Sequence, residues 1–262
     1  MHHLADAAAR LRRYGRGMEA SGLDLRHHVP ARLVPRRTAH PENWSVQLRW
    51  FAIAALVGFV VPLVGSSGLR LQHDVYLGIY FAAVLALTWA YTAATGADWR
   101  AMLVRNWKPS VILGVIVGIV LVRNVLSANA TAHPDGVYYW FELVWRGAIY
   151  GSIDALLLTV LPCTMVHRAL GGRLPTWRKR FAYFGASAAL IVAITAIYHL
   201  GYAQYRQGGV RQPETGNAII SVPMLLTANP IGSITAHSAM HVSGAAHIYE
   251  TEVRLPPPAK AD

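Results

Sequence analysis

The sequence predicts an all-α fold: a polytopic transmembrane helix bundle of about six to seven membrane segments in one domain. Three observations carry that prediction. Of 262 residues 54% are hydrophobic and only 14% charged, against roughly 25% charged in ordinary soluble domains. Apolar runs recur in series, each near the roughly 20 residues that cross a hydrocarbon core. Lys and Arg gather in alternate loops: nine in 1–49, three in 96–108 and five in 167–180, against only Arg70, Arg123, Arg206 and Arg211 in the loops between. The net charge of +11 is thus explained by positive-inside topology, and no nucleic-acid partner is needed. The expected setting is a bacterial inner (cytoplasmic) membrane, with the N-terminus in the cytoplasm and the lipid bilayer as the main partner.

The elements follow in order. Residues 1–43 form a basic arm, in which "LADAAARLRRYGRGM" can either lie as a short helix on anionic lipid or stay solvated. The arm is too long for a signal n-region, so the first apolar segment is expected to remain as a helix. The transmembrane domain covers 44–249. Its spans are expected at 50–68, 75–95, 110–126, 137–166 (with Pro162 inside) and 181–201. The apolar region 217–249 is broken by "NPIG" at 229–232. It divides into a short sixth segment, 217–228, and a seventh, 231–248. The sixth is short for a span and either tilts or re-enters. The tail 250–262 is a loose end. "GVIVG" (Gly114, Gly118) and "GAIYG" (Gly147, Gly151) are GxxxG pairs, which let helix backbones approach closely. Cys163 is the single cysteine, so no internal disulfide or thiolate cluster forms.

Charged groups inside such spans cost roughly 2.5–3.5 kcal/mol each on insertion scales, so their placement is informative. Glu142 and Arg146 stand i,i+4 and share a helix face. Asp154 lies about 18 Å further along the axis; it cannot share their site directly and reads as a helix-helix hydrogen-bonding group. His199 closes the fifth span. His237 and His241 stand i,i+4 among small residues, with His247 beyond them near the interface. Depth and topology place Glu142, Arg146, His199, His237 and His241 at a similar, outward level, which predicts one shared polar pocket.

The stretches "FELVWR" (141–146), "TAIYH" (195–199) and "HSAMH" (237–241) resemble the EExxxR, FxxxH and HxxxN motifs of the CPBP family, which includes CAAX prenyl proteases and bacteriocin-processing or Abi proteins. The resemblance covers roughly 105–248. It implies a membrane-embedded endopeptidase in which a Glu activates water, with histidines and an Asn supporting the oxyanion. By position it carries Glu142, Arg146, His199 and His237 into the catalytic set, with His241 at the Asn position. A CAAX substrate is cytosolic and prenylated, whereas the charge bias puts this site toward the outer side, so the expected substrate is instead a membrane-associated or exported peptide, or a membrane protein. Three positions depart from the pattern: Phe141 replaces the first acid, Thr195 the Phe and His241 the Asn. With one acid left, pairing to Arg146 competes with activating water, because a carboxylate held by a guanidinium is a weaker base.

Two other functions stay open on the residues alone. One is a non-catalytic relative serving as a membrane scaffold or an immunity or maturation protein. The other is a divalent-metal or haem site built from His199, His237 and His241, although "HSAMH" lacks the Glu of HExxH.

Overall fold

In the computed structural model, residues 43–250 are described; the predicted basic arm and tail lie outside them, apart from Asn43 and Glu250. The described chain is helical, with no strand. Five helices are long and apolar enough to cross a membrane: α1 (Trp44–Gly68), α2 (His73–Thr95), α4 (Trp107–Leu126), α5 (Gly136–Ala169) and α6 (Trp177–Leu200). By length and composition this marks an integral membrane protein. Short α3 (Trp99–Val104) links α2 to α4, short α7 (Ala203–Gly208) follows α6, and α8 (Arg211–Thr227) and α9 (Ile231–His247) complete the order.

Boundaries follow local chemistry. Asn43 caps α1 by accepting from Ser45 N, Gln72 caps α2, Asp98 caps α3 and Thr176 caps α6. Gly96, at φ 64°, ends α2 in the left-handed conformation that glycine adopts without a Cβ penalty. The outer faces of the spans are apolar and exposed, with Leu56, Leu85, Trp89, Ile112 and Val120 among them, the pattern of helices solvated by lipid. Helix α5 is different: most of it is buried. It is the central post of the bundle.

That post is not a plain α-helix. It widens to π geometry over Leu143–Ile149 and again over Leu156–Val160. The second widened turn immediately precedes Pro162. A proline inside an α-helix clashes with the carbonyl four residues back and supplies no N–H, and a wider turn relieves that crowding. Pro62 stands differently, as the first residue of the π-wound end of α1, which follows it.

The two glycine pairs have one destination, α9. A Cβ on Gly114 would sit 2.5 Å from Gly232 Cα, and one on Gly118 would stand 3.7 Å from Ala236 Cα. From the other side, a Cβ on Gly147 would meet Val242 Cα at 2.9 Å, and one on Gly151 would meet Ser238 Cα at 2.7 Å. Helix α9 therefore runs between α4 and α5 at backbone contact. In a membrane, where apolar burial drives little, this close packing is itself a main source of association.

The region after 210 corrects one expectation. The sixth segment was expected over 217–228, but α8 begins at Arg211 and runs 17 residues. Both α8 and α9 are about 25 Å long, short of a full crossing; α9 is packed between α4 and α5, while α8 keeps an exposed apolar edge at Ile219 and Leu226. Their turn is fixed by Asn229. Its side-chain amide reaches the carbonyls of Met102 (2.8 Å), Leu103 (2.9 Å) and Arg105 (2.7 Å), while its Oδ1 accepts from Ile231 N. Thus one buried side chain ties the start of α9 to the α3–α4 turn.

Candidate functional site

The five predicted site residues fall into two places. Glu142 is buried and ion-paired with Arg146. Arg146 Nε also lies 3.9 Å from Asp74 Oδ1, at the start of α2. Tyr138 donates to Asp74 Oδ2 at 3.0 Å, and the Tyr249 ring covers the Arg146 guanidinium at 4.7 Å. This cluster joins α2, the first turns of α5 and the segment after α9. It pairs the charges locally, as the i,i+4 spacing allows, while both Glu142 oxygens lie buried without a hydrogen-bond partner. Neither Glu142 nor Arg146 lines the cavity that holds the histidines. The single pocket expected for all five residues is therefore two sites. The separation along α5 is the reason, since the histidines meet the helix some three turns beyond Glu142.

The second place is the cavity. It has a volume of about 860 Å³ and is lined by His199, His237, His241 and Asp154, with Tyr150 and Tyr198. Asp154 was expected to serve only as a helix-helix hydrogen-bonding group. It does bond between helices, and it is also the acid that meets the histidines. His237 Nε2 lies 3.3 Å from Asp154 Oδ2, and Tyr80 donates to Asp154 Oδ1 at 2.7 Å. His237 and His241 stack with ring centroids 5.0 Å apart, and Tyr150 meets His241 edge-on at 4.6 Å.

Packing explains why these groups meet. Gly151 lies against the α9 backbone at His237 and Ser238, and Ser152 and Ser238 hydroxyls pair at 2.9 Å. Asp154 follows Gly151 by three residues, so it faces the same neighbour one turn on. Asp154 and three side chains around it are almost wholly enclosed: Asp154 and His241 are each 4% exposed, His237 is 2% and Tyr80 is 0%.

One donor atom each from Asp154, His237 and His241 lies within 4.8 Å of the others, and the trio can hold a metal ion. This differs from the sequence expectation of three histidines: the acid takes the place expected for His199. Two histidines and a carboxylate suit Zn²⁺ or Fe²⁺ with positions left open. Nδ1 of both His237 and His241 is buried without a hydrogen-bond partner, which is uncommon unless another ligand satisfies it. The Tyr80 hydroxyl is placed as the outer partner that orients a ligating carboxylate.

His199 sits on the wall of the same cavity. Its Nδ1 lies 2.8 Å from the Thr195 carbonyl. A carbonyl only accepts, so Nδ1 carries the proton and Nε2 is the lone-pair nitrogen of the neutral ring. Thr195 has a second use: its Oγ1 accepts from Asn217 Nδ2 at 2.7 Å. Asn217 in turn accepts from Thr159 at 3.3 Å. A Phe here, as in the family pattern, would have no place in that chain joining α5, α6 and α8.

A band of tyrosines backs the site. Hydroxyls link Tyr150 to Tyr198 (2.9 Å), Tyr198 to Tyr202 (2.8 Å) and Tyr202 to Tyr76 (2.5 Å). The motif positions do not mark these residues; Tyr150 and Tyr198 fall inside "GAIYG" and "TAIYH" only as unspecified residues. The signal that could have found them is their number: Tyr76, Tyr80, Tyr150, Tyr198 and Tyr202 are all buried, and a buried phenol needs a partner. The end of α4, α7 and the start of α8 complete the cavity lining, with Gly208, Gly209 and Arg211 among its exposed members. No family model matches the chain, and no curated protein or solved structure matches it.

Proposed function

We propose that the protein is a membrane-embedded hydrolase whose reactive centre is Asp154, His237 and His241, with His199 across the cavity. The observation that carries this reading is one buried carboxylate and two stacked imidazoles converging on a cavity large enough for a substrate segment. The resemblance to CPBP endopeptidases supports peptide hydrolysis, since "TAIYH" and "HSAMH" supply all three lining histidines. In this reading Asp154 takes the acid's part, because Phe141 stands where the family has its first Glu and Glu142 is held by Arg146. The substrate class is a membrane-associated or exported peptide, reached from the side opposite the arginine-rich loops, with the N-terminus cytoplasmic.

Asp154, His237 and His241 would hold a divalent cation. Such a cation supplies Lewis-acid chemistry and makes water a nucleophile near neutral pH. His199 is suited to take or return a proton through Nε2. The test pairs metal content with cleavage in detergent-purified protein. Wild type is expected to retain Zn²⁺ or Fe²⁺ near one per chain and to cleave a fluorescent casein, while Asp154→Asn and His241→Ala lose both. Cleavage that survives in both variants would remove the assignment.

A second reading is a non-catalytic membrane scaffold. It is favoured by Phe141, which lies half out of the bundle stacked with Tyr138 and Trp145 and contributes nothing to the cavity. Metal bound without turnover on any peptide would select it.

A further inference from the structure

A second cavity, of about 690 Å³, opens at the arginine-bearing end of the bundle, remote from the histidine site. Its polar lining includes Arg105, Asn106 and Arg180, and its apolar lining includes Phe181, Phe184 and Leu226. No Asp or Glu lines it among the described residues. The site is built rather than incidental. Asn229 grips the Arg105 carbonyl, Arg105 Nη2 donates to Ala228 O at 3.1 Å, and Asn106 Nδ2 donates to Thr227 O at 3.0 Å. With the arginine so held, its Nε is buried and has no hydrogen-bond partner. Arg180 lines the same cavity, with Nε donating to Leu174 O at 3.2 Å.

Two guanidinium groups held around a cavity without a counter-charge fit an anion, and the planar fork fits phosphate best. The remaining wall selects among phosphates. Phe181 is 72% exposed, Leu226 61% and Phe184 43%, and they continue the pocket onto the outer surface of α6 and α8. A free phosphate has no use for that surface, whereas acyl chains would cover it. Basic pockets between helices at a bilayer surface are also a recurrent headgroup site.

We propose that this cavity binds an anionic phospholipid of the leaflet on the arginine-rich side. Its phosphate sits between Arg105 and Arg180, and its acyl chains lie along Phe181, Phe184 and Leu226. The proposal is independent of the hydrolase reading.

The experiment uses full-length protein in nanodiscs of phosphatidylcholine, with or without phosphatidylglycerol at roughly one lipid in five, a level that supplies the headgroup in excess over a single site. Lipid binding is read by native mass spectrometry and by melting temperature. Wild type should retain phosphatidylglycerol and melt higher in its presence. Arg180→Gln should weaken retention roughly tenfold, the equivalent of one charge-assisted hydrogen bond, and Arg105→Gln likewise. Arg178→Gln, on the same helix but outside the cavity, should leave retention unchanged. The proposal is overturned if Arg180→Gln retains phosphatidylglycerol like wild type, if Arg178→Gln loses it equally, or if inorganic phosphate alone reproduces the thermal shift. Should Arg105→Gln fail to fold, Arg180→Gln decides the matter.

Discussion

Replacing Gly232 by Ala tests the packing that brings the histidines to Asp154. A Cβ at this position would collide with the Ser110 carbonyl oxygen, and would lie 2.8 Å from Pro223 Cβ and 2.9 Å from the Ser110 carbonyl carbon. Real Cβ contacts do not come so close, and none of these atoms is the end of a flexible side chain. Backbone must move, either in α4 or in α9. Overpacking of a filled interior usually costs about 1–3 kcal/mol, occasionally more, and three rigid contacts put Gly232→Ala near the top, about 3 kcal/mol. For a chain of this size that lowers the melting temperature by roughly 6–12 °C. Gly185 is the control. It lies on the exposed face of α6, where an added Cβ would meet nothing within 4 Å, so Gly185→Ala should gain up to about 1 kcal/mol from helix propensity. Both variants are measured by thermal unfolding in one detergent. If Gly232→Ala melts with wild type, α9 is not wedged against α4, and the placement of His237 and His241 loses its support.

Four further outcomes are expected. Tyr80→Phe removes the hydroxyl that donates to Asp154; metal affinity, read by chelator competition, should fall roughly 10–100-fold with the helical circular dichroism unchanged. Glu142→Gln should leave metal content intact while lowering the melting temperature, because it breaks a buried ion pair outside the cavity; loss of metal in that variant would join the two clusters after all. Asn229→Ala leaves three carbonyls without their shared donor and should destabilise by about 2–4 kcal/mol, at roughly 1–3 kcal/mol per orphaned buried group with partial rescue by water. Thr195→Val severs the Asn217 link and should destabilise by about 1–3 kcal/mol, read by the same melt, while His199 keeps its backbone partner.

Much of the architecture is legible in the residues because the apolar runs are long and uninterrupted. The spans expected at 75–95 and 110–126 are α2 and α4 with small shifts. The site is legible in its histidines but not in its acid. Along the chain Asp154 compares naturally with Glu142, from which it is indeed remote, whereas the comparison that matters is with His237 on another helix. Relative depth between helices depends on where each contact falls, and a glycine contact such as Gly151 on Ser238 is not visible from either segment alone. Two π turns in α5 add to the difficulty, since each shifts the faces that a regular 3.6-residue repeat assigns. The start of α8 is hidden for another reason. "RQPETG" reads as loop by composition, but Arg211, Gln212 and Thr215 line the cavity, so the polar turns of the helix face that cavity.

The glycine contacts on both flanks of α9 bear on how a substrate would get in. A rod gripped at its backbone from two directions has no slack, so it cannot swing aside as a door. The short α7 and the Gly208–Gly209 pair beside it line the cavity without such a grip: an added Cβ at either glycine would meet nothing within 4 Å. Admission to the chamber would then be governed at its doorstep, while the imidazoles behind it hold still.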